Sequence, residues 1–134
     1  MISIALGVYA GCPALWPTPG IQMTEVPPYG EGGADKPTRP ICGKVSGVHP
    51  SSTRVVVYAL TNHWYVQPYT DSARTGINPN GSWCTESRPG SAYAALLVKA
   101  EYSPPEIAQA LPQVGDDVIA STVAPDRSEE RSKP

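Results

Sequence analysis

The stretch that decides the fold runs from Arg54 to Gln67 and reads RVVVYALTNHWYVQ. After the arginine, its first half to Leu60 is an unbroken run of β-branched and other apolar residues, which is typical of a central strand covered on both faces. Thr61 to His63 is a short polar turn, and Trp64 to Gln67 returns as an antiparallel partner. This stretch therefore predicts a β-hairpin.

Two further strands are predicted on the N-terminal side of the hairpin. Ile21 to Val26 alternates apolar and polar residues, which is the period of a half-buried strand. Ile41 to Gly47 also alternates, and its more apolar face carries Gly43 and Gly47. Because glycine has no side chain, that face allows another backbone or a bulky ring to approach closely.

Turn signals and apolar runs continue on the C-terminal side. Asn80-Gly81 is a strong turn signal because both residues tolerate positive φ, so Trp83 just after it is predicted to point into the core. Ala92 to Lys99 has the length of a strand, although its alanines and leucines leave a short helix as the alternative. Val118 to Val123 is the last predicted strand, and Glu106 to Leu111 is predicted to form one helical turn.

These segments add up to about seven or eight short strands at the spacing of a sandwich. The 16 prolines and 12 glycines disfavour long helices, and a parallel α/β fold would need such helices. The sequence therefore predicts an all-β, immunoglobulin-like antiparallel β-sandwich. Residues 21–124 are expected to form this domain, residues 1–20 an N-terminal arm or signal remnant, and residues 125–134 a disordered tail or linker.

The N-terminal segment allows two interpretations. Ile2 to Ala10 is mostly apolar, and Tyr9 to Cys12 resembles the cleavage site of a bacterial lipoprotein, with Cys12 as the lipidated residue. No Lys or Arg precedes the apolar run, however, whereas an export signal begins with a positive region. The alternative is a first β-strand from Ile2 to Val8.

The three cysteines, Cys12, Cys42 and Cys84, do not form a CxxC pair, so a structural zinc site is poorly supported. A Cys42–Cys84 disulfide that leaves Cys12 unpaired is one interpretation, and it requires an exported chain. Three unpaired thiols are the other. Neither a metal nor any other cofactor is predicted.

Charge and motifs argue against several classes of function. The formal net charge is −2 and the basic residues are scattered, so no basic face for nucleic acid is expected. No stretch approaches the roughly 20 apolar residues that a transmembrane helix needs. His49 and His63 both lie in predicted turns, and no nucleophile elbow, metalloprotease helix or phosphate-binding loop is present. We therefore expect a protein that is not an enzyme.

Aromatic residues concentrate around the hairpin. Trp64 and Tyr65 are adjacent on one strand and must face opposite sides, so one ring points away from the core unless a second layer covers it. An exposed ring beside Asn62, His63 and Gln67 would form a platform for a sugar, and binding groups gather on such loop tips. The alternative is that the rings fill a core without phenylalanine. The predicted ligand-binding residues are Trp64, Tyr65, Asn62, His63 and Gln67, and the wider aromatic group adds Tyr58, Tyr69, Trp83 and Tyr93.

An ordered series of short motifs also resembles a known kind of module. The motifs are Val26 to Gly30, Gly43 to Val48, Val55 to Tyr58, Trp64 to Pro68, Asn80 to Trp83, Ala94 to Val98 and Tyr102 to Pro105. Over roughly residues 21–124 the series is similar to an accessory β-sandwich module of secreted and cell-surface bacterial proteins. The resemblance implies export and a β-sandwich, and it implies no site residue.

The expected function is that of a non-catalytic accessory module, extracellular or at the cell surface, with a polysaccharide or cell-surface glycan as its partner. The alternative is a structural or assembly subunit of a surface filament or particle. In that case exposed strand edges would contact another copy of the chain or a neighbouring domain.

Overall fold

The computed structural model describes residues 18–32, 35–67 and 73–125. These residues fold as a sandwich of two antiparallel sheets, so the predicted all-β sandwich is confirmed. A short 3-10 turn, Pro50–Ser52, precedes the third strand. The described residues contain eight strands: β1 (Gly20–Glu25), β2 (Arg39–Ser46), β3 (Thr53–Leu60), β4 (Trp64–Gln67), β5 (Ser82–Ser87), β6 (Ala92–Lys99), β7 (Ile107–Ala108) and β8 (Val118–Ala124).

The strands divide unequally between the two sheets. The small sheet has the order β1-β2-β5, and the large sheet has the order β7-β4-β3-β6-β8. The predicted hairpin is confirmed as β3 and β4, which pair from Val57–Gln67 to Leu60–Trp64. Ala92 to Lys99 is a strand and not a helix, because β6 pairs along its length with β3 on one side and with β8 on the other.

An inner core lies between the two sheets. Alternate residues of β3 and β6 face the small sheet, from which the buried side chains of Ile41 and Trp83 pack against them. Trp83 is thus the core residue that its place after the Asn80-Gly81 turn predicts; only Gly81 of that pair adopts a positive φ. The buried residues of the inner core are Ile41, Val55, Val57, Ala59, Trp83, Tyr93 and Ala95.

An outer core lies on the opposite face of the large sheet. The segment of residues 100–117 covers this face, with Tyr102, Ala108 and Leu111 packed against it. The segment is fixed by the Tyr58 hydroxyl, which donates a hydrogen bond to the carbonyl oxygen of Pro105 at 2.7 Å. Strand β3 is therefore buried on both faces, as its unbroken apolar sequence predicts. The buried residues of the outer core are Val56, Tyr58, Trp64, Val66, Ala73, Ala92, Ala94, Leu96, Val98 and Val118.

The helical turn predicted for Glu106 to Leu111 is wrong. Ile107–Ala108 instead forms the short strand β7, in which Ile107 pairs with Tyr65 and Ala108 with Trp64. The backbone N–H of Val66 also donates to the carbonyl of Glu106 at 2.9 Å. The open edge of β4 offers backbone partners that a single isolated helical turn cannot supply for itself, so the segment pairs with the sheet.

The predicted Cys42–Cys84 disulfide is present, with an S–S distance of 2.09 Å. The two cysteines lie directly opposite each other on β2 and β5, so the bond joins neighbouring strands of the small sheet. Their side chains lie on the outer face of that sheet, since Ile41 and Gly43 point to the inner core. Cys12, the two interpretations of residues 2–12, and most of the predicted tail lie outside the described residues.

Candidate functional site

Three separate parts of the chain meet at one end of the sandwich, which we call the loop end: residues 28–32, 61–63 and 88–91. The backbone N–H of Gly30 donates to the carbonyl of Gly90 at 3.0 Å, and that of Ser91 donates to the carbonyl of Leu60 at 2.9 Å. The first bond joins the segment after β1 to the β5–β6 loop. The second joins that loop to the end of β3, just before the β3–β4 turn. The loop end is therefore a composite surface.

One row of residues crosses the large sheet at this end. Tyr93 pairs with Ala59, Ala59 with Tyr65, and Tyr65 with Ile107. Directly paired residues on neighbouring strands share a face, so all four side chains lie on the inner face of the large sheet. Tyr93 and Ala59 are buried in the inner core, whereas Tyr65 is half-buried and Ile107 is 51% exposed. Burial along this row therefore decreases toward the β4–β7 edge, and Tyr65 is partly exposed to solvent there.

The Tyr65 ring has two polar neighbours in the β3–β4 turn. Its hydroxyl donates a hydrogen bond to the side-chain oxygen of Asn62 at 3.2 Å, and the Thr61 hydroxyl donates to the same oxygen at 3.1 Å. The His63 and Tyr65 rings are nearly perpendicular, with an interplanar angle of 83° and the centroids 6.5 Å apart. Asn62 is exposed and His63 half-exposed. Asn62, His63 and Tyr65 therefore form a surface cluster with hydrogen-bonding groups around a fixed ring.

The other two predicted ligand-binding residues are buried. Trp64 is 8% exposed and belongs to the outer core, because it faces the side of β4 that residues 100–117 cover. Gln67 is 6% exposed. Its side-chain oxygen accepts a hydrogen bond from the backbone N–H of Arg88 at 3.1 Å, and its side-chain nitrogen donates to the carbonyl of Tyr65 at 3.4 Å. Burial removes both side chains from direct contact with a ligand.

The loop end also contains an exposed ring that sequence reasoning missed. Tyr29 is 49% exposed, and its ring centroid lies 5.5 Å from that of the buried Tyr93. Tyr29 lies between Pro28 and Gly30, which are turn residues, so no strand directs its ring into the core. This sequence context could have identified Tyr29 as a surface residue. Tyr69, from the aromatic group noted above, lies outside the described residues.

The described part of the chain contains neither a metal-binding cluster nor a membrane-spanning helix. No group of three or more His, Cys, Asp or Glu residues there could hold a metal ion. In residues 18–32, 35–67 and 73–125, no helix has the length and apolar character needed to cross a membrane.

The fold and the loop end define the protein as an all-β antiparallel sandwich that carries a half-buried tyrosine among polar turn residues. Compared with models of protein families, with curated proteins and with solved structures, the chain shows no significant match.

Proposed function

We propose that this domain is a non-catalytic module that binds a carbohydrate outside the cell or at its surface. The observation that carries the proposal is the cluster of Tyr65, Asn62 and His63, in which an accessible ring is held between hydrogen-bonding side chains. A sugar presents C–H groups on its ring faces and hydroxyls around its rim. An aromatic face with a few placed polar groups complements both.

The geometry of Tyr65 favours binding because the ring needs little ordering. Its backbone pairs with β3 on one side and with β7 on the other, and its hydroxyl donates a hydrogen bond to the side chain of Asn62. A tyrosine has few rotatable bonds, so a ring fixed in this way loses little entropy when a ligand stacks on it. The exposed amide of Asn62 and the imidazole of His63 can then bond to sugar hydroxyls.

Two further observations support an extracellular location. The Cys42–Cys84 disulfide is a bond that persists in oxidising compartments. The ordered motifs from Val26 to Pro105 resemble accessory modules of secreted and cell-surface bacterial proteins. Such modules sometimes stand beside carbohydrate-active or adhesive domains, which agrees with a glycan as the partner.

The test is affinity electrophoresis of the purified protein in gels that contain xylan, mixed-linkage β-glucan, galactomannan or glycol chitin. We expect at least one of these polysaccharides to retard the protein, Tyr65→Ala to abolish the retardation, and Tyr65→Phe to keep most of it because the ring remains. Val114→Ala is the matched control, since Val114 is exposed in the segment between β7 and β8. Unretarded wild-type protein, or a Tyr65→Ala variant that is still retarded, would contradict the proposal.

The second candidate function is that of an assembly subunit, and the open edge of the small sheet favours it. Among the described residues, β5 pairs with β2 alone, so its other side offers backbone groups to a strand of another chain. Light scattering across a concentration series separates the two functions. A monomer that binds glycan supports the first, and an assembly that binds none supports the second.

A further inference from the structure

Tyr29 is held in place although it is half exposed. Its ring leans on the buried ring of Tyr93 with an interplanar angle of 39°. The Tyr93 hydroxyl donates a hydrogen bond to the carbonyl of Pro28 at 2.9 Å and accepts one from the N–H of Gly90 at 3.0 Å. Pro28, the residue before Tyr29, is thus hydrogen-bonded to the side chain of the core residue Tyr93. The loop end therefore has a second fixed aromatic surface, apart from Tyr65.

One aromatic surface is on a row of the large sheet, and the other packs against a residue of the same row. Tyr93, which supports Tyr29, and Tyr65 flank Ala59 in register on the inner face. Because neighbouring strands are about 4.8 Å apart, the backbones of Tyr93 and Tyr65 are separated by about 10 Å. Tyr29 covers Tyr93 from the segment after β1, so Tyr29 and Tyr65 lie at the same end of the sandwich on different segments of the chain.

Two glycines lie where the loop segments pack against the β3–β4 hairpin. Gly90 packs directly on Ala59: a Cβ on Gly90 would lie 3.3 Å from the Cβ of Ala59 and 2.7 Å from the carbonyl oxygen of Leu60. A Cβ on Gly32 would lie 2.5 Å from the carbonyl oxygen of Pro89 and would overlap Thr61. The segment from Tyr29 to Gly32 therefore runs from Tyr93 to the turn that holds Asn62.

Gly30 lies on this segment and faces open space, since a Cβ added to it meets no atom within 4 Å. Its N–H bonds to the carbonyl of Gly90, which fixes its backbone. Gly30 thus leaves the backbone beside Tyr29 uncovered, and the next residue, Glu31, is exposed. A ligand can therefore approach the backbone closely at Gly30, beside the Tyr29 ring, because glycine has no side chain to exclude it.

From this arrangement we infer that the ligand is an extended oligosaccharide, and not a single terminal sugar. Tyr65, with Asn62 and His63, holds one sugar unit, and Tyr29 stacks on a unit further along the same chain. The inference rests on the proposed function and deepens it, because it assigns Tyr29 as a second binding residue and gives the class of the ligand. Two linked contacts bind more tightly than either alone, since the second forms at a high effective concentration.

Isothermal titration calorimetry tests this with xylo-, cello-, manno- and chito-oligosaccharides of one to six sugar units. We expect affinity to rise about ten-fold from the shortest bound oligosaccharide to the longest, and then to level off. Tyr29→Ala should remove this rise and leave the affinity for the shortest bound oligosaccharide unchanged. Tyr29→Phe should keep the rise because the ring remains, and Tyr65→Ala should weaken binding at every length.

The outcomes separate the inference from the proposed function. Binding that depends on Tyr65 but is equal for short and long oligosaccharides, or a Tyr29→Ala variant that keeps the rise, overturns the inference and leaves the function standing. No binding to any oligosaccharide or polysaccharide overturns both. Retention of a proline-rich peptide in place of a glycan also overturns both, because such peptides dock on aromatic surfaces of a similar kind.

Discussion

Gly43 and Trp83 face each other across the β2–β5 pair, and the indole occupies the space where a side chain of residue 43 would lie. A Cβ on Gly43 would be 2.6 Å from Cζ2 of Trp83 and would also overlap the carbonyl oxygen of Gln22. The glycine pattern of β2 predicts a close approach by a bulky ring, and Trp83 is that ring.

Gly43→Ala should therefore destabilise the protein. The added methyl group must displace the indole or the β1 backbone, and overpacking of this kind costs about 1–3 kcal/mol of unfolding free energy. Urea unfolding followed by tryptophan fluorescence measures the loss. Gly76→Ala is the matched control, because a Cβ there meets nothing within 4 Å, and its effect should stay within about 0.5 kcal/mol. Equal effects of the two substitutions would contradict the packing described.

Removal of the disulfide should weaken the small sheet. The bond closes a loop with a sequence separation of 42, and loop-closure entropy predicts a loss of about 4 kcal/mol in the variant with both Cys42→Ser and Cys84→Ser. Thermal unfolding of the variant and of the wild type measures the difference. Thiol titration of the denatured, unreduced wild type should give one reactive thiol per chain, and three would show that the bond is not formed.

Trp64 and Tyr65 should differ sharply in their effect on stability although they are adjacent. Trp64→Ala empties a buried site in the outer core, for which a loss of about 3–5 kcal/mol is expected. Tyr65→Ala removes a half-buried ring at the sheet margin and should cost about 1 kcal/mol. Chemical unfolding of the two variants gives both values. A reversed order would mean that Tyr65 is the core residue, and its place in the proposed site would then be lost.

Stability should fall at alkaline pH because of Tyr58. Burial raises the pKa of Tyr58 above its ordinary value of 10.0, and the neighbouring Tyr102 raises it further. The unfolded chain therefore loses this proton at a lower pH than the folded protein does. The contribution of protonated Tyr58 to the unfolding free energy is fully present below pH 10. It declines as the pH rises toward the pKa of Tyr58 in the folded protein, by up to about 1.4 kcal/mol per pH unit.

Urea unfolding at several pH values above and below 10 measures this slope, in a Cys12→Ser background that keeps thiol–disulfide exchange out of the result. Tyr58→Phe should make the decline less steep, at the cost of about 1 kcal/mol near neutral pH for the lost hydrogen bond to Pro105. Buried Tyr93 also has a raised pKa, mainly from burial, so a residual slope is expected in the variant. A slope unchanged by Tyr58→Phe would contradict the assignment.

Local patterns were sufficient to predict most strands. The continuous apolar run of β3, the alternation of β1 and β2, and the Asn80-Gly81 turn before Trp83 each describe a backbone preference that depends on nearby residues. Strand β7 could not be predicted in this way, because it is a strand only through its pairing with the edge of β4. Ile107 and Ala108 have no strong local preference that would reveal this partner.

The candidate site was predicted only in part, because exposure depends on what covers a residue. Period-two geometry required Trp64 and Tyr65 to face opposite sides, but it did not say which side would be covered. The segment of residues 100–117 covers the face of β4 that buries Trp64, whereas Tyr65 on the opposite face lies outside the inner core and is half-buried. Tyr29 was missed because its position depends on Tyr93 and Gly90, which are distant in the chain.

Apart from β7, the sequence by itself determined the elements of this protein: where the chain extends, where it turns, and which faces of the strands are apolar. These follow from interactions between residues close together in the chain. The tertiary structure alone decided which aromatic side chains remain at the surface and brought three distant loops together at one end. The physical reason is that burial results from contacts between residues far apart in sequence, and no local pattern contains them.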